Sequence, residues 1–220
     1  MRRTKSQSEE TRQRILDAAE TVFIEIGVTG ASLERIAAEA GVTRGAIYWH
    51  FANKQELLTA IFARVYDQHV NELARTFEDA TDPLQAVLGW ALSVIELFGT
   101  DEHTRTVYKI TVTRCEYLSE MQEAYTLQRS MHDTMVANFR RAFERAAEAG
   151  QLAPGWTATT ASTTLHCFMS GLLDNWLRFD FDAEVAKILR QALESLVESF
   201  RRDAAASACP QRAALSGAGG

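Results

Sequence analysis

The sequence predicts an all-α protein of about nine helices, a small N-terminal helical unit followed by a larger helical bundle. Three observations predict it. Only three prolines occur in 220 residues, at 83, 154 and 210, while helix-favouring Ala, Leu, Glu and Arg are abundant. Apolar residues recur at helical spacing along the chain, with no credible strand and no internal repeat. The breaks between apolar stripes carry helix-start and helix-stop residues.

The first helix spans about 8–27, with Ile15, Leu16, Ala19, Val22, Phe23 and Ile26 on one face and Gly27 as its stop. Ser32 caps a short helix, Leu33 to Ala40, that ends at Gly41. Thr43 caps a second short helix to about His50. Asn53 caps a long one with Leu57, Leu58, Ile61, Phe62, Val65 and Leu73 on its apolar stripe, reaching about Phe77. Asp82-Pro83 opens the next, because a proline at the first helical position lacks only a donor that would be unpaired anyway. That helix is expected to break at Gly99. A short helix over 102–114 follows, then a long one over 119–149 closed by Gly150, a loop at Pro154-Gly155, and two more helices over about 157–178 and 183–203. The stretch 204–220 is small, polar and Gly-rich, and is expected to be disordered. The domains are expected at 1–54, 55–203 and a 204–220 tail.

Apolar residues make up 46% of the chain and charged residues 24%, as in a soluble globular protein. A formal net charge of −6 argues at first against a nucleic-acid partner. The charge is unevenly spread: residues 1–54 hold eight Lys/Arg against seven Asp/Glu, and the rest of the chain holds 15 against 22. Contact with phosphate should therefore use a local basic patch at the N-terminal end, with the acidic surface turned away. Cys115, Cys167 and Cys209 match no metal or redox spacing, and are expected as reduced thiols in the cytoplasm. The N-terminus has no apolar stretch behind its charges, so no secretory signal is expected. No uncharged apolar run of about 18 residues exists, so no membrane span is expected.

The informative stretch is 33–54. It describes two short helices packed at a steep angle: Ala37 is small at the crossing, Gly41 sits where the turn tolerates positive φ, and Ile36, Val42 and Ile47 fill the space beneath. Capping by Thr43 leaves the N-terminus of the second helix outward, where free N–H groups favour an anion. The outward face of that helix carries Arg44, Gly45, Tyr48 and His50. Arginine can pair with guanine, and Gly45 permits close backbone approach. Tyr48 and Trp49 suit a groove wall better than water. Lys54, at the next helix start, is expected to clamp a phosphate. Arg2, Arg3 and Lys5 form an arm expected at phosphate or the minor groove, and Ser32 joins the candidate DNA contacts. Two packed short helices occur in many bundles, but here cap, turn, small residue, aromatics and lysine agree.

At this point the sequence resembles the TetR family, and Gly41-Val42-Thr43-Arg44-Gly45-Ala46-Ile47-Tyr48-Trp49-His50-Phe51 followed by Asn53-Lys54 is similar to the AcrR-type multidrug efflux repressors. The opening Arg2-Arg3-Thr4-Lys5 with Glu10-Thr11-Arg12 resembles the same branch. The strong likeness covers about residues 2–60. The resemblance implies a homodimeric repressor of double-stranded operator DNA, in which the last two helices of each subunit form a four-helix interface. It implies a small hydrophobic, drug-like effector that binds in the C-terminal domain and releases DNA.

Trp90, Val94, Tyr108, Val112, His132, Met135, Phe139, His166, Met169, Ser170 and Leu173 lie at helical spacings on apolar faces. Each is equally compatible with filled core. As a group they are rich in aromatic and Met side chains that adapt to varied apolar ligands, with isolated polar groups to orient them. No cofactor or metal is expected, because no carboxylate or thiol has ligand spacing near either histidine. Leu165, Phe168, Leu172, Trp176, Leu189 and Leu196 belong to an apolar surplus over the last two helices, expected at the dimer interface. There is no nucleophile elbow, no phosphate loop and no His-Glu metal helix, so no enzyme is expected. Two rival readings are a TetR-type regulator of a metabolic operon that senses a dedicated metabolite, and a helical ligand-binding or scaffold protein without DNA.

Overall fold

The computed structural model describes residues 5–115 and 122–202, without the side chains of 67–75, 78, 79, 122–124 and 127. Arg2, Arg3, Cys209 and the 204–220 tail lie outside the described residues, as does the side chain of Leu73. Among those described there are nine α-helices: α1 (Lys5–Gly30), α2 (Leu33–Glu39), α3 (Arg44–His50), α4 (Lys54–Asp79), α5 (Pro83–Thr100), α6 (Glu102–Lys109), α7 (Gln122–Glu148), α8 (Ala158–Arg178) and α9 (Ala183–Ser199). A π-helical turn, Ile110–Arg114, continues α6.

The helix starts follow the caps. Asp82 accepts from the Gln85 N–H at 3.0 Å, with Pro83 in the first turn of α5. Asp101 accepts from the His103 and Thr104 N–H groups and starts α6. Thr157 and Thr160 form a reciprocal capping pair at α8. Gly27 takes φ 76 and kinks α1, so the expected stop is real and a short helical tail follows it. Gly99 does not break α5, which runs on to Thr100. A lone glycine weakens a helix without ending it, and the Asp101 N–H still donates to the Leu97 carbonyl across Gly99.

Two apolar cores result. The first gathers Ile15, Leu16, Val22 and Phe23 of α1, Ile36 and Ala37 of α2, Ile47 of α3, and Leu57, Leu58, Ile61 and Phe62 of α4. Val107 of α6 and Ile110 of the π turn complete it. The packing unit at the N-terminal end therefore runs past residue 54 and includes α6. The second core gathers Leu84, Val87, Ala91 and Ile95 of α5, Phe139 and Phe143 of α7, Leu165, Leu172 and Trp176 of α8, and Leu193 and Val197 of α9. Phe77 carries α4 into this second core, so one helix belongs to both.

By length and composition α5 could cross a bilayer. Its apolar side chains instead fill the second core, and it packs on α7 and α9.

Candidate nucleic-acid interface and effector chamber

The α2–α3 unit is held by short-range chemistry. The Ser32 hydroxyl accepts from the Arg35 N–H at 3.1 Å, and the Thr43 hydroxyl accepts from the Ala46 N–H at 3.2 Å. Gly41 has φ +63, and its N–H and that of Val42 donate to the Ala38 and Ala37 carbonyls, closing α2 with a left-handed turn. Ile36, Ala37 and Ile47 are buried beneath, so the opposite face of α3 must point outward.

That face is unusual for water. Trp49 is 72% exposed and Tyr48 44%. The Arg44 side chain is 73% exposed, and nothing lies within 4 Å of a Cβ placed on Gly45. His50 is half-buried at the end of the helix, edge-on to Trp49 with ring centroids 4.5 Å apart. Lys5 is exposed at the start of α1. Ser32 and Thr43 are exposed cap residues.

Lys54 is placed differently from the expectation of a free phosphate clamp. Its ammonium donates to the Val28 and Thr29 carbonyls, both at 3.0 Å, tying the start of α4 to the tail of α1. At most one of its three donors is left for a phosphate. The distance along the chain, about 25 residues, hid this partner from sequence reasoning.

A second feature sequence reasoning missed is Glu34 of α2. Its Oε1 accepts from the Tyr48 hydroxyl at 3.1 Å and pairs with the Arg44 guanidinium at 3.1 Å. The guanidinium also lies 5.6 Å from the Tyr48 ring centroid. Contacts between two different helices leave no periodic signal in sequence.

A charge network ties together three helices of the first core, one of which, α4, continues into the second. Glu20 of α1, whose side chain is 8% exposed, takes the Arg64 guanidinium of α4 at 3.1 Å and His103 Nε2 of α6 at 3.0 Å. Arg64 also reaches Asp17 at 2.8 Å. Burial pushes the Glu20 carboxyl above its ordinary range, against the pull of His103 and Arg64. Gly27, at φ +76, faces the π turn: a Cβ there would lie 3.5 Å from the Arg114 carbonyl oxygen, an ordinary contact.

Of the expected effector residues, Trp90, Val94, Tyr108, Met135, Phe139, Met169 and Leu173 belong to the second core or pack on it. Trp90 meets Phe139 edge-on at 5.3 Å. Tyr108 meets Phe98 likewise and donates to Asp174 Oδ1 at 2.5 Å. Burial, with the bond to Asp174, holds that phenol far above its ordinary range, so it stays protonated and donating. His166 of α8 and His132 of α7 stand edge-on at 4.2 Å, with the Ser170 hydroxyl 3.4 Å from His166 Nε2. His166 Nδ1 is buried with no hydrogen-bond partner among the described residues, and burial beside His132 lowers the pKa of the ring, keeping it neutral. Asp174 was missed, although His166, Ser170 and Asp174 follow at four-residue steps on one face of α8. Val112, in the π turn, is 42% exposed and stands apart from this group. His132 is exposed.

A cleft of about 220 Å³ between the end of α4 and α7 is lined by Phe77, Asn138, Arg141, Ala142, Glu144, Arg145 and Glu148. It holds none of the expected effector residues. Its guanidinium Arg145 donates to the Phe77 and Ala80 carbonyls, closing the end of α4.

The expected interface residues divide in two. Leu165, Leu172 and Trp176 are buried in the core of their own chain, and the Trp176 indole donates to the Asp182 carbonyl at 2.8 Å. They are corrected to internal packing, because a side chain already enclosed has no surface to offer a partner. Phe168, Leu189 and Leu196 pack against the second core but are only half-buried, and Ile188 of α9 is 66% exposed.

A capped two-helix unit with an outward aromatic and cationic face, joined through α4 to a helical bundle, defines a helix-turn-helix regulator. Residues 15–61 match the bacterial regulatory proteins of the TetR family, and residues 82–202 match the C-terminal region of MAATS-type transcriptional repressors. The chain belongs to the TetR family of transcriptional regulators. It is 32% identical over 201 residues to the HTH-type transcriptional regulator AcrR of Shigella flexneri, covering 90% of this chain and 93% of that one. It superposes on NalD, the secondary repressor of the MexAB-OprM multidrug efflux pump of Pseudomonas aeruginosa, with a TM-score of 0.81 and 34% identity, over 90% and 100% of the two chains. It superposes on SmeT in its triclosan complex with a TM-score of 0.80 and 32% identity, over 89% and 93%. SmeT is the repressor of the Stenotrophomonas maltophilia multidrug efflux pump SmeDEF. The expected likeness to AcrR-type efflux repressors holds well beyond residue 60, into the bundle.

Proposed function

We propose that this chain is a ligand-responsive repressor that binds a pseudo-palindromic operator as a dimer, is released by small hydrophobic compounds, and controls a multidrug efflux operon. The observation that carries the DNA reading is the outward face of α3, where Arg44, Tyr48 and Trp49 project from a helix whose other side is locked into the first core. Two such helices fit successive major grooves about 34–36 Å apart. The dimer forms through α8 and α9, with Phe168, Leu189, Leu196 and Ile188 on the shared face. The arm at Arg2, Arg3 and Lys5 adds phosphate or minor-groove contact, as do the exposed caps Ser32 and Thr43.

The effector binds in the second core. Trp90, Val94, Tyr108, Met135, Phe139, Met169 and Leu173 give it apolar walls, while Tyr108, His132, His166 and Ser170 orient it. The likeness to SmeT with triclosan supports an effector of this chemical kind. The effector shifts the helix separation only through its unequal affinity for two conformers. The levers are α4, which belongs to both cores, and the Glu20–Arg64–His103 network between α1, α4 and α6. The protein works in the cytoplasm, where the operator is.

A gel-shift on the DNA upstream of its own gene, with triclosan and unrelated hydrophobic antimicrobials, tests this. A specific shift relieved by several of them is expected. A specific shift that no drug relieves would replace the efflux reading with a dedicated metabolite sensor. No specific shift on any tested operator would overturn the DNA reading.

A further inference from the structure

We infer that Glu34 is a specificity-determining residue: its carboxylate latches Arg44 and Tyr48 so that the α3 face is turned away from phosphate and toward a G·C base pair. The inference rests on the reading of α2–α3 as the DNA interface.

Glu34 occupies the second position of α2, with Ser32 as the cap. From there one oxygen reaches across the helix angle to two of the outward side chains of α3, Arg44 and Tyr48, each at 3.1 Å. The Arg44 guanidinium lies near the Tyr48 ring as well, so the three side chains form one unit. The Glu34 carboxyl is held below its ordinary range by its own backbone N–H and by the Tyr48 hydroxyl, so it is ionised through the neutral range. The most exposed cation of the recognition helix is therefore neutralised, on a surface that needs positive charge to hold phosphate.

The two kinds of DNA partner treat this unit differently. A phosphate that takes Arg44 leaves an unpaired carboxylate beside its own negative charge. A G·C pair offers acceptors O6 and N7 to the arginine, and the cytosine N4 amino group donates to a carboxylate. It satisfies both members of the latch together. Glu34 thus weakens attachment to DNA in general and weakens it least where the base edges match. An exposed ion pair contributes little to folding, so the cost of the latch falls on binding rather than stability.

The test is a pair of titrations on the full chain, wild type and Glu34→Gln, with labelled duplexes over a series of salt concentrations. One duplex is the intergenic DNA upstream of its own gene, the other a scrambled duplex of equal length and composition. Glutamine keeps the shape and an acceptor but loses the charge. Affinity of Glu34→Gln for the scrambled duplex should rise about tenfold at low salt, and the slope of log K against log salt should steepen by about one. Affinity for the upstream DNA should change much less, so the ratio between the duplexes falls. Glu34→Ala should raise scrambled-duplex binding similarly, and both variants should lower the melting temperature only slightly, the loss of one exposed first-turn carboxylate of α2. Unchanged binding to both duplexes, or equal loss on both, would overturn the inference while leaving the DNA reading intact. A wild-type chain that does not distinguish the duplexes would overturn the DNA reading, and this inference with it.

Discussion

Arg64 of α4 and Glu20 of α1 meet at 3.1 Å, at a place where the glutamate side chain is 8% exposed and the arginine 26%. The pair joins the first core to the helix that continues into the second. Removing the cation would leave a nearly buried carboxylate with His103 as its remaining partner. Arg64→Ala should therefore lower stability by about 1–3 kcal/mol, more than an ordinary surface truncation. Glu20→Gln in the same chain should recover most of the loss, and thermal melting of the two single variants and the double variant checks this.

The same carboxyl sets a pH dependence. Its folded pKa lies above its ordinary 4.5 because burial disfavours the charge. A raised folded pKa means that its contribution is fully present below the unfolded value and is lost as pH rises through the folded one. Glu20→Gln, which mimics the protonated form, should gain stability relative to wild type as pH rises above the ordinary 4.5, then level off once pH exceeds the folded pKa. A difference that stays flat across this window would contradict the burial argument.

Asp82 and Asp101 work in the opposite sense. Burial pushes Asp82 up, but hydrogen bonds from the Gln85 N–H and Arg201 outweigh it and hold its carboxyl below 3.8. The Thr104 hydroxyl, with the His103 and Thr104 N–H groups, does the same for Asp101 despite partial burial. Their contributions are present above the unfolded carboxyl range and are lost as pH falls through the depressed folded values. Acid unfolding of Asp82→Asn and Asp101→Asn should be less steep below about pH 4 than that of wild type, as circular dichroism during acid titration can show.

Tyr48 lies on the outward face of α3, far from the second core in packing terms. Tyr48→Ala should weaken operator binding by about ten- to a hundredfold, the range of a good interface contact, while triclosan binding stays nearly unchanged. Fluorescence anisotropy on DNA and calorimetry with triclosan separate the two. Equal loss of both would remove the proposed division between DNA face and effector chamber.

Gly41 has φ +63 and open space around it, so the cost of any side chain there is backbone strain alone. Gly41→Val should destabilise the chain by about 1–2 kcal/mol, and Gly41→Asn by less, since asparagine tolerates this region. Melting temperatures of the two variants give the ranking.

Much of the fold was legible because its signals are local. Ser32, Thr43, Asn53 and Asp82 each cap the helix they precede, and Ile36, Ala37 and Ile47 are buried as the periodicity required. The outward set Arg44, Tyr48 and Trp49 follows from the same periodicity, since burying one side of so short a helix exposes the other. What was not legible was long-range. The Val28 and Thr29 carbonyls that take two donors of Lys54 are backbone atoms that no side-chain pattern reports. Leu165, Leu172 and Trp176 were expected at a dimer interface because an apolar helix face does not say which neighbour covers it.

The sequence by itself determined the helices, their caps and turns, and the recognition motif, since each depends on residues within a few positions of one another. Only the tertiary structure decided that α6 packs into the N-terminal core, that Glu20 bridges Arg64 and His103, and that Glu34 holds Arg44 and Tyr48. Those contacts depend on the angles at which helices cross, which are set by the packing of both cores at once.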